Sequence, residues 1–201
     1  MGIPEIVLLA GAILIGFTVH EAAHGYAAYH LGDQTAFERG RLTLNPLKHI
    51  DPLGTVLLPA ALLLAHSPFL FGYAKPVPVR AENFRNPRRD MALVAAAGPA
   101  SNLVLAIVFG LALLLAQATA SETYWLLNAL DVLVTTNLVL AIFNMLPIPP
   151  LDGASVLAGF LPENWARPYL RLGRIPFLPL LLIFLGVPLF MWIIAEIARR
   201  F

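Results

Sequence analysis

The sequence predicts an all-α polytopic membrane protein, with about four to six transmembrane helices and one re-entrant segment. Three observations predict it. Of its 201 residues 59% are hydrophobic and only 12% are charged, whereas soluble domains run to about 45–50% apolar and about 25% charged. Mean hydropathy is +0.76, so lipid is the natural solvent for much of the surface. Four apolar runs, 3–31, 91–118, 124–146 and 175–197, reach the roughly 20 residues needed to span. Basic residues, finally, crowd into some of the loops between these runs and avoid others.

The first run leads straight into "TVHEAAHGYAAYH" (18–30). No basic n-region precedes it and no cleavage site follows, so a retained span is expected rather than a removed leader. Next comes "ERGRLTLNPLKHIDPLG", where the alternation Arg41-Leu42-Thr43-Leu44 before Asn45-Pro46 predicts a short strand ending in a turn. Residues 53–71 form a weaker apolar stretch, with Pro59 in the middle and His66-Ser67-Pro68 cutting it short. It can span as a bent helix or enter and leave by one face. "FGYAKPVPV" reads as a second extended piece, because its prolines forbid a helix and tolerate only an edge strand.

Charge decides between the two readings of 53–71. The loops on either side carry Arg39, Arg41 and Lys48, then Lys75, Arg80, Arg85, Arg88 and Arg89. Residues 147–174 add Arg167, Arg171 and Arg174, while 117–123 hold only Glu122. The positive-inside rule puts the first three loops in the cytoplasm and the last outside. That is self-consistent if 53–71 is re-entrant, and a spanning 53–71 would put two basic loops on opposite sides. The final run then leaves Arg199 and Arg200 outside unless Pro188 bends it. No soluble stretch is long enough for a second domain, so residues 1–201 are expected to be one membrane-embedded unit. A net charge of +1 with no long basic run argues against nucleic acid as a partner. With no cysteine, disulfides and thiolate metal sites are excluded.

Ionisable groups inside a membrane helix are costly, which makes them functional candidates. His20 and His24 are four residues apart, so both imidazoles share one helix face at a separation that suits a single metal ion. Glu21 lies about 100° round the helix, placed to take a proton from a metal-bound water rather than to ligate. This is the HExxH arrangement: two zinc ligands and a general base from one turn. Catalytic zinc usually takes three protein ligands. The third must come from one of the other polar interruptions: "GPASN" (98–102), Asn137, or "FNMLPIPPLDGASVL" from Phe143. The last holds Asp152 where Pro147, Pro149 and Pro150 unwind the chain. Asp152 is available there as an oxygen ligand, the alternative being a cap on the helix that follows. The predicted topology brings Asp152 to the same membrane face as His24, as a shared ion requires.

HEAAH, then "GPASN", then "NMLPIPPLDG" together resemble the site-2 protease family of intramembrane zinc metalloproteases. Within it the chain is similar to compact members that also carry "LNPLKHIDPLGT" and "GYAKPVPV". The resemblance implies one zinc ion per chain on His20, His24 and Asp152, with Glu21 as catalytic base. It implies that Asn102 and Asn144 line the site toward substrate or oxyanion. It also implies a short membrane-associated β-hairpin, here Arg41, Leu42, Thr43 and Leu44 with Tyr73, Ala74 and on to Val79, that clamps substrate as an added strand. The implied partners are transmembrane protein substrates within the lipid bilayer. The implied setting is the plasma (inner) membrane of a prokaryote, with the active site toward the cytoplasm. Two departures stand out: there is no PDZ or CBS module, and 53–71 separates the halves of the supposed hairpin. Two rival readings are a metal transporter and an inactive relative that binds membrane proteins. The first would string polar groups through the membrane instead of gathering them at one depth, and the second has no missing ligand or base to recommend it.

Overall fold

The computed structural model describes residues 2–65, 72–119 and 124–175. Seven α-helices lie in this part: α1 (Ile3–His30), α2 (Thr35–Glu38), α3 (Leu58–Leu64), α4 (Pro87–Ala118), α5 (Tyr124–Asn144), α6 (Asp152–Phe160) and α7 (Glu163–Arg171). Helices α1, α4 and α5 are long and apolar enough to cross a membrane. At about 1.5 Å per residue they run to roughly 30–50 Å, against a hydrocarbon core of about 30 Å. The expected fourth span, 175–197, lies outside the described residues except at Ile175.

Each long helix has a local reason to start or stop where it does. α1 begins with Pro4 in its first turn, where the missing N–H costs nothing. It ends at Gly32, whose φ of 108° admits only glycine comfortably. The Asp33 N–H then reaches the Ala28 carbonyl at 2.9 Å and the Gly32 N–H the Tyr29 carbonyl at 3.1 Å, the paired closure typical of a glycine-terminated helix. α4 starts at Pro87, with the Asp90 carboxylate accepting the Asn86 N–H at 2.9 Å.

α4 is the centre of the bundle, packed against α1, α5 and α6, and α1 also touches α5. The interfaces are lined with small residues. Among the described residues ten of the fourteen buried apolar ones are alanine, and Leu103, Ile107, Leu111, Leu114 and Leu115 of α4 face outward. A soluble protein would bury those leucines. In lipid no hydrophobic drive pulls them inward, and small residues let the backbones approach.

Before α3, the π-helical turn Pro52–Leu57 is capped by Asp51, which accepts the N–H of Leu53 at 3.0 Å and of Gly54 at 2.8 Å. Together they form a short apolar helix, Pro52–Leu64, of under about 20 Å. The chain then returns to where this piece began: Tyr73 N–H donates to the Gly54 carbonyl at 3.1 Å, and Thr55 Oγ1 to the Tyr73 carbonyl at 2.8 Å. The two ends of 54–73 therefore lie side by side, as they would in a re-entrant piece.

The expected β-hairpin is corrected: no strand forms among the described residues. Arg41 to Leu44 and Tyr73 to Val79 do lie near each other, but the Arg41 guanidinium joins them, donating to the Lys75 carbonyl at 2.8 Å. A backbone ladder is blocked on both sides. Pro76 and Pro78 have no N–H to give, and the Thr43 carbonyl is occupied by His49 Nε2 at 2.8 Å.

A candidate metal centre between three helices

His20 and His24 lie on the buried side of α1, and α4 approaches them closely at Gly98. A methyl group there would sit 2.5 Å from His24 Cε1 and Nε2 and 2.7 Å from His20 Cε1. Only a hydrogen fits. The glycine of "GPASN" therefore sets how near α4 can come to the histidine pair.

α4 then fixes both rings. His24 Nδ1 lies 2.7 Å from the Val94 carbonyl, and His20 Nδ1 lies 2.6 Å from Asn102 Oδ1. The amide of Asn102 cannot be turned round, because its Nδ2 donates to the Gly16 carbonyl at 3.1 Å and to Asn137 Oδ1 at 3.0 Å. Asn137 in turn donates to the Leu133 carbonyl at 2.9 Å. Asn102 and Asn137 are both 0% exposed, where an unpaired amide would cost several kcal/mol. Each Nδ1 faces an acceptor, so in the neutral ring it carries the proton and Nε2 is left as a lone pair. Metal-binding histidines are generally held in this way.

Asp152 arrives from the other side. α5 ends at Asn144, and the chain turns so tightly that a Cβ on Gly153 would lie 2.1 Å from the Met145 carbonyl oxygen. Tyr169 of α7 pins the turn by donating its hydroxyl to the Pro147 carbonyl at 2.6 Å. α6 is preceded by Leu151 with no side-chain cap, so the Asp152 carboxylate is not spent on the helix start. It points at the histidines: Oδ2 is 3.0 Å from His20 Nε2 and 3.3 Å from His24 Nε2. The two Nε2 atoms are 3.0 Å apart.

With both rings neutral, three acceptor atoms face one another, an arrangement that suits a cation. Asp152 Oδ2 is buried and has no hydrogen-bond donor. Tetrahedral zinc with bonds of about 2.0–2.1 Å has ligand–ligand edges of roughly 3.3 Å, close to the three separations observed. The chemistry of the set, two neutral imidazoles and one carboxylate, fits zinc with a position left open for water.

Glu21 lies beside the pair, and its Oε2 accepts the N–H of Val77 at 2.7 Å. Asn102, expected to face substrate, has both amide hydrogens engaged and its oxygen on His20. Asn144 donates within its own helix to the Leu140 carbonyl at 2.9 Å. In the supposed clamp, the N–H groups of Tyr73, Lys75 and Val77 already have partners within the chain: Gly54, His49 and Glu21. His49 is buried and serves the loop, not the metal site. Two contributors lay beyond sequence reasoning, the Val94 carbonyl and the Val77 N–H; Asn137, weighed in the sequence as a possible source of the third ligand, holds Asn102 instead.

A His-His-Asp site sunk among membrane-type helices, with a glutamate beside the first histidine, defines the class of a membrane zinc metallopeptidase. The profile of peptidase family M50 matches residues 112–171. The chain is 41% identical over 162 residues to a Bacillus subtilis (strain 168) protein named "Putative zinc metalloprotease YwhC", a match covering 76% of this chain and 68% of that protein. It is 35% identical over 163 residues to the Mycolicibacterium smegmatis protein named "Putative zinc metalloprotease Rip2", covering 79% and 59%. To the Mycobacterium tuberculosis H37Rv protein of the same name it is 30% identical over 186 residues, covering 92% and 70%. The chain belongs to peptidase family M50, the site-2 protease family. No solved structure matches it.

Proposed function

We propose that this protein is an intramembrane zinc metalloendopeptidase that hydrolyses peptide bonds in transmembrane protein substrates. One observation carries the reading: three metal-binding atoms, on residues 20, 24 and 152, converge within 4.8 Å, both histidines being held with their lone pairs inward. The names of the relatives support zinc as the ion and peptide hydrolysis as the chemistry. His24 lies six residues and His20 ten from the C-terminal end of α1, about 9 and 15 Å along the axis. That distance from the helix end supports a reaction below the lipid surface, and the basic loops argue for the cytoplasmic side of a prokaryotic inner membrane.

His20, His24 and Asp152 would hold a zinc ion, which when bound would supply Lewis-acid polarisation of the scissile carbonyl and activation of water near neutral pH. The chain's own residues do the rest. Glu21 accepts the proton of the attacking water and returns it to the leaving amide nitrogen. Asn102 and Val94 keep the imidazoles in the ligating tautomer throughout. Substrate contacts are assigned to Asn144, at the end of α5, and to the extended piece from Tyr73, through groups other than the amide hydrogens already engaged within the chain. A substrate helix hides its peptide bonds in its own hydrogen bonds, so it must unwind before Glu21 can act on it.

The test is cleavage of a model transmembrane substrate in proteoliposomes by wild type and by Glu21→Gln. Wild-type cleavage with a Glu21→Gln protein that keeps zinc but loses at least about a thousandfold in rate supports the proposal. Zinc flux across the vesicle membrane without cleavage by wild type overturns it.

A further inference from the structure

Val77 sits between two prolines in "KPVPV", and its N–H is spent on a side chain 56 residues away, the Glu21 carboxylate, at 2.7 Å. We propose that Val77 is a positioning residue whose backbone N–H holds one oxygen of Glu21, turning the other toward the water that attacks the substrate. The inference rests on the reading of Glu21 as the base.

Each proline forces the residue before it into an extended backbone, so Lys75 and Val77 are both stretched. Neither Pro76 nor Pro78 offers an N–H, which leaves the Val77 N–H with no ladder neighbours. The segment is tied down on both flanks. Lys75 N–H donates to the His49 carbonyl at 2.9 Å and Arg80 N–H to Asp33 Oδ2 at 2.7 Å, while Arg41 holds the Lys75 carbonyl at 2.8 Å. It is a strut, not a lid. The Val77 side chain is 8% exposed and packs where Gly25 leaves room: a Cβ on Gly25 would lie 3.3 Å from Val77 Cγ1. Gly25 is one helical turn beyond Glu21, so the same face of α1 that presents the base seats the strut.

A free glutamate has three side-chain rotors, and holding it costs entropy at every turnover. A charge-assisted hydrogen bond from a rigid backbone settles that cost in the fold. Misplacement of a reacting group by about 1 Å can cost about a hundredfold in rate.

The experiment compares Val77→Pro with Val77→Ala in zinc-loaded proteoliposomes. Proline suits the extended backbone that Pro78 demands and deletes only the N–H and part of the packing; alanine keeps the N–H and loses the packing. Expected are a fall in kcat of about 10- to 100-fold for Val77→Pro with KM within about twofold and zinc content unchanged, and near-wild-type kcat for Val77→Ala. Equal rates in the two variants, or a loss that falls on KM, overturns the inference. A readout independent of turnover covers the case of a Val77→Pro protein that does not fold. In zinc-free protein the Val77 amide proton should resonate downfield and exchange slowly, and Glu21→Ala should abolish both. An amide indifferent to Glu21→Ala overturns the inference as well. Wild type inert toward every substrate, with the amide signature intact, would sink the protease reading and leave the contact standing.

Discussion

Two regions of this molecule hold their polar groups in different ways. In the helical half, α1, α4 and α5 bury Asn102, Asn137 and the histidines by close backbone approach, each amide meeting its partner across a helix interface. In the loop half, residues 33–83, no long helix is present among the described residues and single carboxylates do the organising. Asp33 alone accepts the Thr35 N–H at 3.1 Å, the Thr35 hydroxyl at 2.5 Å, the Asn83 amide at 2.6 Å and the Arg80 N–H at 2.7 Å. The first region resists change through shape and the second through a few hydrogen bonds. Metal binding should therefore depend on the helical half, and the stability of the loops on the other.

The largest effect expected is at Gly98. A methyl group there collides with both imidazoles, and α4 cannot retreat without breaking the contacts of Val94 and Asn102. Gly98→Ala should lower zinc affinity by at least about a hundredfold, measured by competition with a chelator. Unchanged affinity would mean that the helices are held together by something other than this approach. Next comes Asn102→Ala, which strands His20 Nδ1, the Gly16 carbonyl and Asn137 Oδ1 together. Zinc affinity should fall about 10- to 100-fold, with the same assay as the check, and Asn102→Asp should recover part of it because an oxygen again faces His20.

The smallest effect on zinc is expected at Asp33. Asp33→Ala should leave the affinity within about threefold while costing about 1–3 kcal/mol of stability in detergent unfolding. Its pH dependence has a definite sign. Burial pushes the Asp33 carboxyl up, but the hydrogen bonds from Thr35, Arg80 and Asn83 outweigh it and hold the pKa below the ordinary carboxylate value. A lowered folded pKa contributes stability that is fully present above the unfolded value of about 3.9 and is lost as pH falls through the folded one. The gap between wild type and Asp33→Ala should thus be full at neutral pH and shrink below about pH 4. A gap constant down to pH 2 would show that Asp33 acts through packing rather than charge.

The helical half was also the more legible in sequence. The pattern of α1, α4 and α5 is set by runs of apolar residues, and HEAAH states its own geometry because four residues make one turn. Asp152 could be singled out because an acid after three prolines has few structural reasons to be there. The loop half misled in one respect. Alternation at Arg41 to Leu44 and prolines at 76 and 78 suggested paired strands, but pairing needs donors on both sides and the prolines removed them.

The sequence by itself determined the membrane class, the three described helices long and apolar enough to span, and the metal-binding residues as a set of candidates, because hydropathy, helical period and ligand chemistry are local properties. Only the tertiary structure decided which nitrogen of each histidine is free, that Asn102 serves His20 and is itself held by Asn137, and that Val77 reaches Glu21. Those facts depend on which backbone and side-chain atoms meet across 35 to 82 residues of chain. No local pattern encodes a partner chosen by packing.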